Sequence, residues 1–523
     1  MTYSVALDGV TGRVVAVEAD VSDGQPGWSL SGMPDPSVST ARDRCRAALI
    51  NSNFRWPDRR VTVALYPPHL PKVGSHYDLA IALALLVADK RLDPVAVRDT
   101  VVLGELGLDG RLRSVPGVLP AVMTASTAGL ARVIVPEANA NEARLVPHAQ
   151  VLAVRSLGEC VALLAGENPP DDAVIRLSEF EPPAPGWDVI DDRDLLDVRG
   201  QKHARWCVEV AAAGGHHLFL EGPPGAGKTM LAERFGALLP GLTLDEAIEV
   251  STIHSLAGLL PREAPLVERP PFLAPHHNDT VPSVIGGGGK VIRPGAISLA
   301  HRGVLFLDEA PEFRPTVHDA LRQPLESGVI SIRRSEGAAT FPARFQLIMA
   351  ANPCPCGGDV SGRARGPACS CDPVARRRYG QRISGPVRDR IDIRHAVLPV
   401  STAEMLQPVG PDGSTQAVRD RVLDARSRQA RRFVDLPWLT NAVVPPAEFR
   451  QRCPLAVDAA GALETAVSKG RLSQRGAQRV LRLAWTVADL EGSDRPLTEH
   501  VLEALHLRTD VVHTELLRSA PVA

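Results

Sequence analysis

The first 165 residues alternate short β-like runs of apolar residues with helical patterns. Arg60–Leu65 alternates valine with other residue types and predicts a strand, whereas Tyr77–Ala88 is mostly apolar and predicts a buried helix. Val101–Leu108 and Ala131–Pro136 predict further strands. The pattern therefore indicates an α+β domain over residues 1–165.

The pattern changes twice further along the chain. Residues 166–195 contain five prolines, nine acidic residues and two arginines, which is typical of a linker or of a solvated surface loop. Residues 196–400 alternate strands and helices with many glycines, as in a doubly wound α/β domain. Residues 401–515 have a mostly helical pattern and predict a C-terminal helical domain.

Composition narrows the class of protein. The 523 residues include 58 Lys and Arg and 60 Asp and Glu, and the resulting net charge of −2 excludes a polycation but leaves room for a local basic groove. Aromatic residues are only 4% of the chain, which argues against binding of single strands by extensive base stacking. No signal peptide or membrane span is evident, so we expect a cytoplasmic, reduced protein without membrane contact.

A glycine-rich segment that fits G-x-x-x-x-G-K-T follows an apolar run and precedes a helical pattern. Such a loop turns its backbone N–H groups toward phosphates, and the following helix adds its dipole. Lys228 is expected to reach the β- and γ-phosphates of ATP, and the Thr229 hydroxyl to bind Mg²⁺. The predicted phosphate-binding residues are Gly222, Pro223, Pro224, Gly225, Ala226, Gly227, Lys228 and Thr229.

Polar residues also end two later apolar runs. Asp308 and Glu309 follow Gly303–Leu307, and Asn352 follows Phe345–Ala351. Ligands bind at the carboxyl ends of strands in open parallel sheets. We therefore expect Asp308 to hold Mg²⁺ through water and Glu309 to polarise the water that attacks ATP. Asn352 is expected to hold that water between Glu309 and the γ-phosphate.

Arginines are concentrated after the predicted strand Phe345–Ala351. We place an arginine that acts on the neighbouring subunit's nucleotide at Arg390, although spacing alone equally allows a surface arginine paired with Asp389 or Asp392. Arg475 is predicted to reach the γ-phosphate from a helical lid, where it shares one helix face with Arg471, Arg479 and Arg482. For Arg471 and Arg482 we prefer a solvated or DNA-facing stripe. The arginines between 361 and 394 are Arg363, Arg365, Arg376, Arg377, Arg378, Arg382, Arg388, Arg390 and Arg394.

Four cysteines lie within 18 residues as two C-x-C pairs, Cys354 with Cys356 and Cys369 with Cys371. Four thiolates can close a tetrahedral Zn²⁺ site, although the usual spacing in such sites is C-x₂-C. The alternative is a set of packed, unreactive thiols. His276 and His277 are interpreted as polar contacts near the nucleotide or a pore rather than as metal ligands.

The order of these motifs resembles AAA+ ATPases and, within them, the magnesium-chelatase-like family called YifB or ComM. Similar stretches cover nearly the whole chain. They are Gly200–Gln201, Arg269–His277, Ile285–Gly289, Pro294–His301, Leu321–Glu326, Asn352–Gly357, Leu472–Arg475 and Ala488–Leu490.

The resemblance implies a P-loop AAA+ core with a helical lid, preceded by an α+β domain similar to that of the Lon protease (S5-like). It implies a ring of identical subunits, expected to be a hexamer, with a hairpin over Val329–Gly337 that directs Arg333 and Arg334 at DNA phosphates. Protease activity does not carry over. Our alignment puts His76, next to Ser75, at the position of the nucleophile, and no lysine lies between residues 91 and 201.

Three functions are therefore compared. The resemblance favours an ATP-driven translocase on single-stranded or branched DNA, a branch-migration helicase in recombination of incoming DNA. The second is the ATPase motor of a magnesium-chelatase-type complex. The third, an ATP-dependent protease-like remodeller, is disfavoured by the missing catalytic pair.

Overall fold

A computed structural model describes residues 1–169, 193–288, 292–334, 337–358, 369–470 and 472–509, without the side chains of residues 334 and 337. Several sequence predictions fall outside the described residues. They are most of the linker, Gly289, Arg363, Arg365, Arg471, the side chain of Arg334 and the end of the predicted helical domain, 510–515.

The N-terminal part is built on a seven-stranded mixed sheet in the order β3-β4-β2-β1-β5-β8-β9. The long pairs of β1 with β2 and of β2 with β4 are antiparallel, and the remaining pairs are parallel. Two further short strands, β6 and β7, form a separate hairpin. The strands are β1 (Thr2–Asp8), β2 (Thr11–Ser22), β3 (Gly27–Ser31), β4 (Arg60–Tyr66), β5 (Thr100–Val102), β6 (Glu105–Leu106), β7 (Leu112–Arg113), β8 (Arg132–Pro136) and β9 (Gln150–Val154).

Helices pack on both faces of this sheet. The helices are α1 (Pro36–Ser39), α2 (Ala41–Asn51), α3 (Asp78–Ala88), α4 (Val118–Thr127), α5 (Ala140–Ala143) and α6 (Leu157–Ala165). The apolar helix α3 has nine of its eleven residues buried, because it lies between the sheet and α2. Helix α4 covers the other face of the sheet. The almost continuous apolar pattern of α3 thus reflects burial on all sides.

The central part contains a five-stranded sheet in the order β11-β14-β17-β10-β18, and all of its pairs are parallel. Strands β14, β17 and β10 are neighbours, so the three motif-bearing loops that follow them meet at one edge of the sheet. The strands are β10 (Leu218–Glu221), β11 (Phe272–Leu273), β12 (Gly286–Gly287), β13 (Arg293–Pro294), β14 (Val304–Leu307), β15 (Val329–Arg334), β16 (Gly337–Pro342), β17 (Gln346–Ala351) and β18 (Ile393–Ala396).

Helices and one long hairpin surround the central sheet. Strands β15 and β16 pair antiparallel over six residues each, at the position where the resemblance implied a pore hairpin. The helices are α7 (Lys202–Gly214), α8 (Lys228–Phe235), α9 (Leu244–Ala257), α10 (Val281–Ile285), α11 (Ala296–Leu299), α12 (Pro315–Ala320), α13 (Arg322–Ser327), α14 (Pro373–Gln381) and α15 (Gly385–Arg390).

The C-terminal part is helical, and its apolar residues join the core of the central sheet through α7. Its helices are α16 (Thr402–Leu406), α17 (Thr415–Arg432), α18 (Pro446–Arg452), α19 (Val457–Ser468), α20 (Gln474–Leu490) and α21 (Thr498–Arg508). Ser473 caps α20 by accepting a hydrogen bond from the amide of Gly476 at 3.1 Å. Within the described part of the chain, no helix combines the length and apolar character that a membrane span requires.

Arg482 on α20 corrects one sequence prediction. We expected it in a solvated or DNA-facing stripe, but its guanidinium donates to the carbonyls of Ala442 (2.9 Å) and Val444. It also lies 5.9 Å from the centre of the Phe449 ring. Arg482 is therefore a structural residue. The periodic spacing of arginines could not show this, because the buried acceptors come from a loop some forty residues away in sequence.

The N-terminal part packs directly against the central part through α9. The amide of Gly117 donates to the carbonyl of Ser255 at 2.9 Å, and the Ser255 hydroxyl donates to the buried carboxylate of Glu142. The β1–β2 turn reaches the hairpin: a Cβ on Gly9 would lie 2.8 Å from the carbonyl oxygen of Thr340 on β16. The two sheets are thus joined by specific polar and close backbone contacts.

Candidate nucleotide site

The glycine-rich loop connects β10 to α8 and holds Lys228 at the start of the helix. Gly225 and Gly227 have φ of 75° and 93°, a left-handed conformation in which a side chain would be strained. The Lys228 ammonium is mostly buried and donates to the carbonyls of Gly222 (2.7 Å) and Pro223 (2.9 Å). Burial lowers the pKa of Lys228, and the carboxylates of Asp308 and Glu309 oppose this shift.

Asn352, which directly follows the neighbouring strand β17, provides a third hydrogen-bond acceptor for the Lys228 ammonium. Its Oδ1 accepts from Lys228 Nζ at 3.2 Å. Two sequence motifs separated by 124 residues are therefore in direct contact. An amide at this position can orient a water molecule or a phosphate oxygen beside the lysine.

Thr229 and Asp308 offer hard oxygen ligands on the other side of the loop. The Thr229 hydroxyl donates to Asp308 Oδ2 at 2.7 Å. A hydroxyl and a carboxylate oxygen so close together match the donor preference of Mg²⁺, which takes few protein ligands and keeps several waters. These residues therefore fit a magnesium ion held together with substrate phosphates.

Glu309 sits in a left-handed backbone conformation, with φ of 50°. This conformation is uncommon for a residue other than glycine, and such strain is concentrated at functional sites. Its carboxylate lies 3.2 Å from Nδ1 of His277, on the segment that follows β11. The side chains of Glu309 and His277 line a cavity of about 400 Å³. Thr229, Asp308 and His276 line the same cavity. The cavity brings together a carboxylate, a magnesium-binding pair and two imidazoles.

A second cavity, of about 480 Å³, adjoins the loop through Gln201. Gln201 has φ of 49°, and its amide donates to the carbonyls of Ala226 (3.0 Å) and Leu398 (2.6 Å). Gln201 lies within a stretch that resembles the family, but its residue type alone did not predict a contact with the loop. The chain offered a signal in the Gly-Gln pair shortly before the loop, but the contact depends on the fold.

Arg390 and Arg475 lie together, at the opposite edge of the sheet. Strand β18 runs parallel to β10, and the Asp392 amide donates to the carbonyl of His217 at 3.1 Å, where both strands begin. The phosphate-binding loop follows the far end of β10, about 10 Å along the strand. The Arg390 guanidinium pairs with Glu326, and Arg475 lies 3.9 Å from Asp389. The structure thus brings Arg475 to the Arg390 segment and not to Lys228.

The four clustered cysteines converge after β17. All four sulfur atoms lie within 4.8 Å of one another, an arrangement that could hold a metal ion. Cys354 Sγ lies 3.3 Å from Cys356 Sγ and 3.4 Å from Cys369 Sγ. A tetrahedral site with Zn–S bonds of 2.3 Å needs sulfur separations of about 3.8 Å, close to those observed. The backbone amide of Gly358 lowers the pKa of Cys356, which favours the thiolate form that binds metals.

The position assigned to a nucleophile in the N-terminal part has no lysine partner among the contacts of the described residues. The Ser75 hydroxyl donates to Glu105, and His76 Nε2 lies 2.9 Å from the carbonyl oxygen of Val5. Burial lowers the pKa of His76 to about 4. The buried Lys72 donates to the carbonyl of Pro67. These groups form structural hydrogen bonds.

Comparison with known proteins identifies the family. The family model "Magnesium chelatase, subunit ChlI" matches residues 194–405. Two further models of the same subunit match residues 17–139 and, as its C-terminal part, residues 412–508. Competence protein ComM of Haemophilus influenzae is 40% identical over 512 residues, 98% of this chain and 97% of the relative. The chain belongs to the YifB/ComM family of magnesium-chelatase-like AAA+ proteins.

Two further relatives match over nearly the same length. YifB of Escherichia coli is 40% identical over 513 residues, which is 97% of this chain and 96% of the relative. An uncharacterised protein of Mycobacterium tuberculosis is 45% identical over 506 residues, 97% of this chain and 98% of the relative. The resemblance drawn from the motifs is therefore confirmed, and with it the α/β fold class with a P-loop core.

Proposed function

We propose that this YifB/ComM protein is an ATP-hydrolysing ring motor that moves along DNA. The observation that carries the ATPase part is the convergence of three loops at one sheet edge. There Lys228 touches Asn352, Thr229 touches Asp308, and Glu309 borders the same cavity. No single motif would give this set of cation, carboxylates and amide.

The chemistry follows from the position of each group. Lys228 exchanges its carbonyl acceptors for the β- and γ-phosphates of ATP, and this exchange offsets the desolvation of its ammonium. Thr229 and Asp308 would hold Mg²⁺, which would supply positive charge against the phosphates. Glu309 polarises a water molecule in the cavity, and Asn352 orients that water toward the γ-phosphate. His277 contacts Glu309 and fixes the direction of its carboxylate.

DNA is proposed as the substrate on two grounds. The relative from Haemophilus influenzae is named a competence protein, which suggests a role in the handling of incoming DNA. The hairpin β15–β16 also carries the exposed Arg333, a residue type that binds phosphates. We infer a branch-migration activity on single-stranded or branched DNA.

The ring is proposed from the separation of Arg390 and the phosphate-binding loop. An arginine at the edge where the strands begin cannot serve the nucleotide of its own subunit without a large rearrangement. A head-to-tail neighbour would bring Arg390 to the adjacent Lys228 site, and such interfaces form a ring when the rotation between subunits closes. We propose a hexamer in which Arg390, with Arg475 beside it, stabilises charge on the partner's γ-phosphate.

Zn²⁺ is the metal that we propose for Cys354, Cys356, Cys369 and Cys371. Four thiolates without a histidine or carboxylate favour a soft, tetrahedral metal, and a closed four-sulfur set suits a structural site. The sulfur separations support this choice.

The first test is ATP hydrolysis by the full-length protein with no DNA, with single-stranded DNA and with a four-way junction. We expect stimulation by DNA and a loss of hydrolysis in Lys228→Ala. Lys469→Ala is a matched control, because that lysine is exposed on the C-terminal helices and should leave turnover unchanged. Turnover that is the same with every DNA would refute the DNA assignment and leave the ATPase assignment standing.

The magnesium-chelatase motor is the alternative that the family descriptions favour. It predicts ATP turnover that responds to partner subunits and a porphyrin but not to DNA. A protease-like remodeller is disfavoured, because Ser75 contacts Glu105 and not an amine. If the protein degraded an unfolded substrate and substitution of Ser75 abolished that activity, the protease-like function would be favoured instead.

A further inference from the structure

The cysteine cluster and the nucleotide site share one short segment of chain. Asn352 directly follows β17 and contacts Lys228, and Cys354, two residues later, has a fully buried side chain in the cluster. A displacement of Cys354 therefore moves Asn352 as well. Strand β17 anchors this segment at one end, and the cluster is its next fixed point.

The turn that follows is closed by its own sulfur and backbone contacts. The Gly357 amide donates to the carbonyl of Cys354 at 3.1 Å, and the Gly358 amide donates to Cys356 Sγ at 3.4 Å. Both glycines are buried. The Cys354 thiol also donates to the carbonyl of Gly358 at 3.7 Å, so two of the four thiols hold the shape of the turn 354–358, and a shared ion would fix it further.

This turn packs on the phosphate-binding loop. Gly357 has φ of 71°, and a Cβ at this position would lie 2.7 Å from Cγ and 2.9 Å from Cδ of Pro224. Pro224 precedes Gly225, where the loop adopts its left-handed conformation. The backbone at Gly357 therefore packs directly against the phosphate-binding loop at Pro224.

We propose that the four-cysteine site braces the phosphate-binding loop: an ion bound by the thiols holds Gly357 against Pro224 and thereby maintains the loop in its nucleotide-binding shape. The proposal rests on the proposed ATPase function and adds a second role to the metal site. Without the ion, Cys354 and Cys356 lose their bonded link to Cys369 and Cys371, and binding of ATP must also order the loop. Ordering the loop costs conformational entropy, so even partial disorder of this loop weakens ATP binding measurably.

The test compares bound zinc and nucleotide affinity in the full-length protein without DNA. Cys369→Ser removes one ligand, and Ser370→Ala is its matched control, because it changes the adjacent exposed side chain and keeps all four thiols. Zinc per chain is measured by elemental analysis, and the Kd for a fluorescent ATP analogue by anisotropy. We expect about one zinc per chain and unchanged affinity in Ser370→Ala. In Cys369→Ser we expect no zinc and an affinity about tenfold weaker.

Gly357→Ala separates the brace from the metal. The added methyl group meets the ring of Pro224 while all four ligands remain. We expect retention of zinc with weakened affinity for the ATP analogue. Thermal unfolding of each variant checks that the chain is folded.

The outcomes are distinguishable. Unchanged affinity in zinc-free Cys369→Ser, or in Gly357→Ala, overturns the brace. A wild-type protein that takes up no zinc after addition of Zn²⁺ also overturns it. If the wild type binds the ATP analogue no better than Lys228→Ala, the proposed ATPase function itself fails.

Discussion

Glu142 is the buried group on which the contact between the two sheets depends. Its side chain accepts hydrogen bonds from the amide of Leu119 (2.9 Å), from Nδ2 of Asn139 (3.1 Å) and from the hydroxyl of Ser255 on α9. Glu142→Ala removes all three acceptor contacts at once. Glu142→Gln keeps the shape of the side chain and one acceptor oxygen, so it serves as the matched variant.

The expected magnitudes follow from what each donor can do afterwards. Asn139 still donates to the carbonyl of Val115, and the Ser255 hydroxyl can rotate, but the buried Leu119 amide loses its acceptor. An orphaned buried donor costs about 1–3 kcal/mol, and the two weakened contacts add to this, so Glu142→Ala should cost about 2–4 kcal/mol. Glu142→Gln should cost about 1 kcal/mol or less, because its oxygen can serve Leu119.

The contribution of Glu142 to stability depends on pH with a defined sign. Burial raises the pKa of Glu142, and the hydrogen bonds from Ser255, Leu119 and Asn139 oppose that shift. In the folded state Glu142 therefore keeps its proton up to a higher pH than in the unfolded chain, where glutamates have a pKa of about 4.3. Stability conferred by the protonated form is complete below that value and is lost as the pH rises through the folded pKa. The wild type should therefore gain stability relative to Glu142→Gln as the pH is lowered through the folded pKa of Glu142 toward the unfolded value.

Hydrogen exchange of the Leu119 amide measures the contact directly, and it does not assume that the whole chain unfolds in one step. Exchange should be accelerated in Glu142→Ala roughly in proportion to the free energy lost, about tenfold for each 1.4 kcal/mol. Peptides from the far edge of the first sheet, around β3, provide the internal control. Unchanged protection of Leu119 in Glu142→Ala, or equal effects of the two substitutions, would refute the reasoning.

Three further outcomes are expected. Asn352→Ala should lower kcat for ATP by about 10–100-fold with KM within about threefold, because Lys228 can still bind the phosphates while the attacking water loses its orientation; a large rise in KM instead would contradict this role. His277→Ala should lower kcat by about tenfold and His277→Gln should restore part of it, since an amide can still contact Glu309; equal losses would argue against positioning. Arg482→Ala should lower the free energy of unfolding by about 2–4 kcal/mol in denaturant titrations, whereas Arg475→Ala, with a side chain 80% exposed, should leave it unchanged.

The sequence was sufficient for features that depend on a strand and the few residues after it. Strands β10, β14 and β17 end where the polar residues begin, so the rule for parallel sheets already predicted that Lys228, Asp308 and Asn352 would meet. The spacing of the four cysteines likewise predicted that their thiols could form one metal site. Local pattern also predicted the buried helix α3.

Contacts between distant loops could not be predicted in this way. The pair of His277 with Glu309 depends on how the segment after β11 folds back over the sheet. The contact of Gly357 with Pro224 joins two loops more than 130 residues apart, and neither residue carries a charge or a polar side chain to mark it. The half-buried position of Arg482 depends on contacts with carbonyl groups, which every residue has. In each case tertiary packing determined the role, and periodicity gave no signal.

In the ring that we propose, the placement of Lys228 and Arg390 at opposite ends of the strands of one sheet gives each subunit one half of two nucleotide sites. Two defective proteins should therefore complement each other. Lys228→Ala and Arg390→Ala are each expected to be inactive alone, but a neighbouring pair combines the intact loop of one with the intact arginine of the other. In an equal, freely exchanging mixture roughly a quarter of the head-to-tail junctions would be complete. Recovery of hydrolysis on mixing would thus count working junctions, and a mixture as inactive as its parts would mean that each chain hydrolyses ATP by itself.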